Sequence, residues 1–183
     1  MSLLEIHNLS KSFKGLLAND KICMELKLGE ARCIIGPNGA GKTTLISMIS
    51  GHLFQSSGII TFDGKNISSY DLVKRVRLGI GRKFQTPTLF DNLTVYENVE
   101  LPLLLLKMPE AERKNAVLQS LEWVGLTDKI KSRPAQLSGG ECQRVSIARA
   151  MVKKPKLVLA DEPTANLDAH NSHNILETME KLN

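Results

Sequence analysis

Aromatic residues make up only 4% of this 183-residue chain, and no basic run interleaves with them. That argues against the stacking platforms on which single-stranded nucleic acids lie, so no nucleic-acid partner is expected. Cysteine is scarce as well. Cys23, Cys33 and Cys142 are odd in number and form no C-x-x-C pair, which argues against a disulfide framework or a zinc site and fits a reducing compartment. The longest apolar stretch, around Leu101 to Leu106, contains Pro102 and is far too short to span a bilayer. No signal peptide is expected before the first strand, and no repeat or low-complexity segment is found. The chain reads as soluble, docking at most on something that is not. Its formal net charge of +5 is mild, suited to an enzyme that handles polyphosphates or works near an anionic membrane surface. At this length a core can form without disulfides or metals, and one domain is expected, with room for a subdomain.

What is present begins with Gly36-Pro37-Asn38-Gly39-Ala40-Gly41-Lys42-Thr43, a G-x-x-x-x-G-K-[ST] pattern. The apolar run Ala31 to Ile35 before it reads as a short buried strand. Thr44 to Ile49 after it reads as a helix stopped by Gly51. In that context the glycines let the backbone approach an anion closely, and successive N–H groups with the helix start hold it. Lys42 is expected to reach the β- and γ-phosphates and the Thr43 hydroxyl to ligate Mg²⁺. A nucleoside triphosphate is the expected ligand.

The flanking sequence supplies a frame for this loop. Leu4 to Leu9 and Ile22 to Leu28 alternate as strands do, and Gly58 to Phe62 runs into a hairpin turn at Asp63-Gly64. A small antiparallel sheet beside the loop is predicted, with a further strand from Ile80 to Phe84 leading into Gln85. The middle of the chain turns helical. Pro109-Glu110-Ala111-Glu112 opens a helix, Leu118, Leu121 and Val124 form its core stripe, and Gly125 closes it. Leu157-Val158-Leu159-Ala160 reads as a strand buried on both faces, and Ala169 to Leu182 as a terminal helix.

Two more stretches carry chemistry. The Leu157 strand ends in Asp161-Glu162, at the edge where α/β sheets present their functional groups. Asp161 is expected to hold Mg²⁺ and Glu162 to polarise the attacking water. Leu137-Ser138-Gly139-Gly140-Glu141-Cys142-Gln143-Arg144 places an N-cap, Ser138, before a helix from Glu141 to Met151, with the first amides exposed by Gly139 and Gly140. Alone it is an ordinary cap; beside a phosphate loop and an acidic strand it reads as a second anion site.

In this order the motifs resemble the nucleotide-binding domain of an ABC transporter, over essentially the whole chain. Residues 36–43 resemble Walker A, Leu157 to Glu162 Walker B, Leu137 to Arg144 the family signature, Gln85 the Q-loop glutamine, and Ala165-Asn166-Leu167-Asp168 the D-loop. Phe13 stands where the family places an aromatic that stacks on adenine, although a core Phe in a β-sheet is an equal reading. The resemblance implies an α/β P-loop NTPase fold of the ABC type, with a RecA-like mixed sheet core, an N-terminal antiparallel β subdomain and a helical subdomain at about 86–150. It implies a single ATP-binding domain over 1–183, shortened at its C-terminus. Nucleotide contacts are implied for Gly36, Pro37, Asn38, Gly39, Ala40, Gly41, Lys42, Thr43 and Thr44, and for Ser138, Gly139, Gly140 and Asp168 across a dimer. Glu162, Gln85 and Lys42 are implied in catalysis, and Thr43, Gln85 and Asp161 in holding Mg²⁺.

The mechanism so implied uses two such domains, in a homodimer or heterodimer arranged head to tail. Each ATP is sandwiched by the Walker A of one and the signature of the other. Integral membrane transporter subunits would be the partners, and the inner face of the cell membrane the location. Two departures bear on this. The family places a switch histidine on a strand beyond Glu162. No histidine matches it: His170 and His173 fall on the polar side of the expected terminal helix, and His7 and His52 lie outside the motif order. A nucleotide-binding module without turnover is therefore an alternative, as is a soluble ATPase of the same superfamily. The halves also differ. Gly81 to Phe90 resembles urea and branched-chain amino-acid importer ATPases, whereas Glu97 to Pro102 and Asp161 to Asp168 resemble the lipoprotein-release and macrolide-export type. This fits a divergent homologue or a mosaic joined near residue 95.

Overall fold

The computed structural model describes residues 2–83, 89–104, 106 and 108–161. Gln85, Glu162, Asp168, the D-loop and the expected terminal helix lie outside the described residues. The chain divides into two compact units, one up to Ile80 and one from Gly81.

The first unit is built on an antiparallel sheet of order β2-β1-β3-β4. Its strands are β1 (Ser2–Phe13), β2 (Leu16–Lys27), β3 (Ser57–Phe62) and β4 (Lys65–Asn66). The predicted sheet is present, and its first two strands run further than their alternation suggested. Lys14-Gly15 joins them as a two-residue turn, pairing Phe13 with Leu16. Asp63-Gly64 turns β3 into β4, as expected, with Phe62 opposite Lys65. Leu4, Ile6, Leu9, Leu26, Ile60 and Phe62 are buried on this sheet, each such side chain contributing about 1.5–3 kcal/mol on removal from water.

The long ribbon is not regular. β1 carries one extra residue near Asn8 and β2 one near Lys21, both at positive φ, and the register shifts there. The Ser10 hydroxyl accepts from the Lys21 N–H at 2.8 Å, supplying the acceptor that the second bulge takes from the ladder. Beyond it, β2 carries Ala18 and Asn19 to the phosphate loop.

Helix α1 (Lys42–Ser50) follows that loop and ends on Gly51, as read. The expected strand before it is absent. Ala31 to Ile35 has no strand assignment and is exposed, Ile35 by 90%. A buried strand needs ladder partners for its N–H and C=O groups, and no strand among the described residues pairs with this one. Apolar composition alone does not make a strand.

Helix α2 (Leu72–Arg77) closes the first unit, its N-cap Asp71 accepting from the Lys74 N–H at 2.9 Å.

In the second unit, β5 (Ile80–Lys83) pairs with β6 (Leu157–Ala160). Leu157 is buried but Val158, Leu159 and Ala160 are only half-buried, because β6 has one neighbouring strand among the described residues rather than two. Helices α3 (Val95–Leu104), α4 (Glu110–Trp123) and α5 (Gly139–Met151) share a core of Val95, Val99, Leu103, Val117, Leu121, Val124, Val145 and Ile147. The α4 stripe thus runs Val117–Leu121–Val124. Leu118 is half-buried, since one residue along a helix turns a side chain by about 100°. Thr94 and Glu97 form a reciprocal cap at the start of α3. The fully buried Asn98 fastens the preceding loop, donating to Phe90, Leu93 and Thr94 carbonyls and accepting from the Phe90 N–H. Glu100 on α3 pairs with Arg113 on α4 at 2.6 Å.

Candidate functional site

The phosphate loop is shaped by its own short contacts. The Ala40 N–H donates to the Pro37 carbonyl at 3.2 Å, and the Leu45 N–H donates to the Gly41 carbonyl at 2.9 Å to start the helix. Gly41 is the N-cap of α1 at φ 85. A Cβ placed there would lie 2.3 Å from the Ala18 carbonyl oxygen and 2.8 Å from Asn19 Nδ2. Only glycine satisfies both the left-handed backbone and that close approach. Asn19, buried on β2, donates from Nδ2 to the Gly41 carbonyl at 3.4 Å. The bulged ribbon therefore fixes the loop from behind.

Lys42 folds over the front. Its Nζ donates to the Gly36 carbonyl at 2.7 Å and the Pro37 carbonyl at 2.8 Å. An ammonium thus stands beside an exposed run, Pro37 to Ala40, that leads into a helix start. Thr43 is exposed and Thr44 half-buried in the first turn of α1. Positive charge, glycine backbone and helix start together suit a polyphosphate.

Phe13 sits at the tip of the β1–β2 ribbon, 43% exposed. Of its two sequence readings, a core Phe does not hold. Lys11 Nζ lies 5.1 Å from the ring centroid and donates to the Phe54 carbonyl at 2.8 Å, so one face of the ring carries a cation.

In the second unit Asp161 follows β6 and is buried. Arg82 on β5 reaches it, Nη2 to Oδ2 at 3.5 Å. Burial lowers the Arg82 pKa while Asp161 raises it, so a cation shares the environment of this carboxylate. The signature region is as the cap reading required, with the helix starting two residues earlier, at Gly139 rather than Glu141. The Ser138 hydroxyl accepts from the Glu141 N–H at 3.3 Å, and Glu141 accepts from the Ser138 N–H at 2.7 Å. That N–H holds the Glu141 carboxyl below its ordinary range. Ser138 and Gly139 are exposed and Gly140 buried, and the position of a Cβ on Gly139 is open space. The Cys142 thiol is pushed up by burial and by Glu141, away from the reactive thiolate.

Sequence reasoning missed Asn19 and Arg82 as site neighbours. Neither belongs to a motif with its own chemistry, and only the bulged ribbon and the β5–β6 pairing bring them to Gly41 and Asp161.

The profile of the ABC transporter family matches residues 19–165. This chain belongs to that family. The ABC transporter ATP-binding protein YtrE of Bacillus subtilis is 39% identical over 165 residues, covering 88% of this chain and 71% of that protein. The methionine import ATP-binding protein MetN of Corynebacterium glutamicum is 44% identical over 168 residues, covering 91% of this chain and 47% of that protein; the chain spans about half of that relative's length. Among solved structures, the dimeric post-hydrolysis state of the ATP-binding cassette MJ0796, bound to ADP and Pi, superimposes with a TM-score of 0.87 at 33% identity, covering 98% of this chain and 82% of that one. The fold is the α/β P-loop fold of ABC ATPase cassettes, with an antiparallel β part and a helical part, and the chain is an ATPase domain of that kind. Among the described residues no helix is long and apolar enough to cross a membrane.

Proposed function

We propose that this cassette binds and hydrolyses ATP in a head-to-tail dimer, homomeric or heteromeric, and drives transport through separate membrane subunits at the inner face of the membrane. The observation that carries the reading is a pair of glycine-opened helix starts, α1 at Gly41-Lys42 and α5 at Ser138-Gly139. One phosphate loop covers one side of a triphosphate, and a second helix start from a facing copy would cover the other. The MJ0796 cassette, described as dimeric with ADP and Pi, supports this arrangement. Names such as methionine import protein support the transport role, with the cargo a property of each relative.

Mg²⁺ enters this reading on donor chemistry alone: the Thr43 hydroxyl and the Asp161 carboxylate are hard oxygen donors, to which the family resemblance adds Gln85. Magnesium would neutralise charge on the phosphates as the γ-phosphoryl group is transferred. In the same reading Lys42 holds the β- and γ-phosphates, Glu162 orients water, Asp168 meets the facing loop and Phe13 offers its ring to adenine. Residues 1–183 act as one ATP-binding domain, with a helical subdomain at about 86–150 that docks the membrane partner.

The test is Glu162→Gln with ATP. The variant is expected to bind nucleotide, elute as a dimer on size exclusion and release no phosphate, while the parent releases phosphate in a single-turnover assay. A variant that stays monomeric at saturating ATP overturns the dimer; a parent that binds Mg-ATP without ever releasing phosphate overturns the turnover.

A further inference from the structure

Arg75 is the largest fully buried side chain among the described residues, and it is a cation. It lies on α2 and donates only to backbone carbonyls. Nη1 reaches Met48 and, at 3.0 Å, Ile49; Nε reaches Tyr70 at 2.8 Å; Nη2 reaches Ser68 at 3.4 Å. No carboxylate among the described residues lies within ion-pair distance of it. Burial brings its pKa down to about 10, with Asp71 acting in the opposite sense, so at neutral pH it remains charged. A guanidinium withdrawn from water and lacking an acid is costly, and what offsets the cost here is a helix end.

Met48 and Ile49 belong to the last turn of α1. The Met48 carbonyl also accepts from the Gly51 N–H at 3.3 Å, and both carbonyls carry the negative end of the helix dipole. Gly51 makes the approach of Arg75 feasible. It caps α1 at φ 83, and a Cβ there would stand 2.9 Å from the Leu72 nitrogen and 3.0 Å from Arg75 Cδ. The opposite end of α1 is Gly41-Lys42, the phosphate loop. With nine residues, α1 is only about 13 Å long. In so short a helix the negative end lies close enough to weaken the field at the positive one.

We propose that Arg75 is a positioning residue for phosphate binding: it pins the far end of α1 and neutralises its carbonyl pole, leaving the loop end an uncompensated positive start. The proposal rests on residues 36–43 being the triphosphate site. A unit charge about 13 Å away, at an effective dielectric of about 20, corresponds to about tenfold in affinity per unit of ligand charge at low salt.

The experiment measures magnesium-free binding of ATP and of inorganic triphosphate by calorimetry at low ionic strength, on the full chain, with folding checked by circular dichroism. Arg75→Gln is expected to weaken both ligands by about tenfold or more, and Arg75→Lys, which keeps the charge, to stay within about threefold of the parent. Ile60→Val, a core change in β3, is expected to lower the melting temperature and leave affinity unchanged, separating positioning from plain stability. R75Q binding within twofold of the parent overturns the proposal, as does R75K binding as weakly as R75Q. If R75Q does not fold, R75K decides: a loss of tenfold or more overturns the role of the charge. A parent that binds neither ligand would instead sink the triphosphate-site reading, a separate outcome.

Discussion

Lys42 shows how one side chain links local structure to ligand. Its ammonium already satisfies the Gly36 and Pro37 carbonyls, so the loop keeps its turn while the charge stays beside the proposed phosphate position. Lys42→Ala removes the cation and both tethers. ATP binding is expected to fall below detection, about a thousandfold weaker, since hydrogen bonds to charged groups contribute about 1.5–3 kcal/mol each. Equilibrium dialysis with labelled ATP checks this; affinity equal to the parent's would remove the loop assignment. Residues of this kind were legible because a motif fixes chemistry and spacing together. Asn19 and Arg75 were not. An asparagine in an alternating strand and an arginine in a basic stretch look like surface residues until the β-bulges and the Gly51 turn bring them to either end of α1.

At the scale of elements, the caps were legible and the packing less so. Ser138, three residues before Glu141, is a capping signature, and the reciprocal bonds are there. Ser138→Ala is expected to lower stability by about 1 kcal/mol, read from the urea midpoint at unchanged slope. The same caps set an acid limb. Glu97 and Glu141 have pKa values lowered mainly by the backbone N–H groups of Thr94 and Ser138. A depressed carboxylate adds stability above its unfolded value, about 4.3, and loses it as pH falls through the folded value below that. Stability should therefore drop below about pH 4.3, and the double change to Gln at both positions should flatten that drop, because an amide oxygen accepts without titrating. Ala31 to Ile35 and Leu118 mark where reading failed. A strand depends on its neighbours and a helix face on an angle, and neither is written in five or seven residues.

At the scale of the whole molecule, ligand binding and folding are linked. A nucleotide held only by the native state stabilises it by about 2.7 kcal/mol at a hundred times its Kd. For a chain of this size that raises the melting temperature by about 5–10 °C. ATP should give this shift in the parent and none in Lys42→Ala, measured by scanning fluorimetry; equal shifts in both would place the nucleotide elsewhere. The fold class was legible at this scale because three motifs in fixed order constrain topology more than any single periodicity does.

The exposed run before the phosphate loop carries Cys33 at its midpoint, itself exposed. A thiol there is a built-in reporter: maleimide should modify it within minutes wherever the run is unladdered, and slowly wherever a neighbouring chain segment lays a strand beside it. The rate of that one reaction would say, without any nucleotide, whether the seam in front of the loop is open or sewn shut.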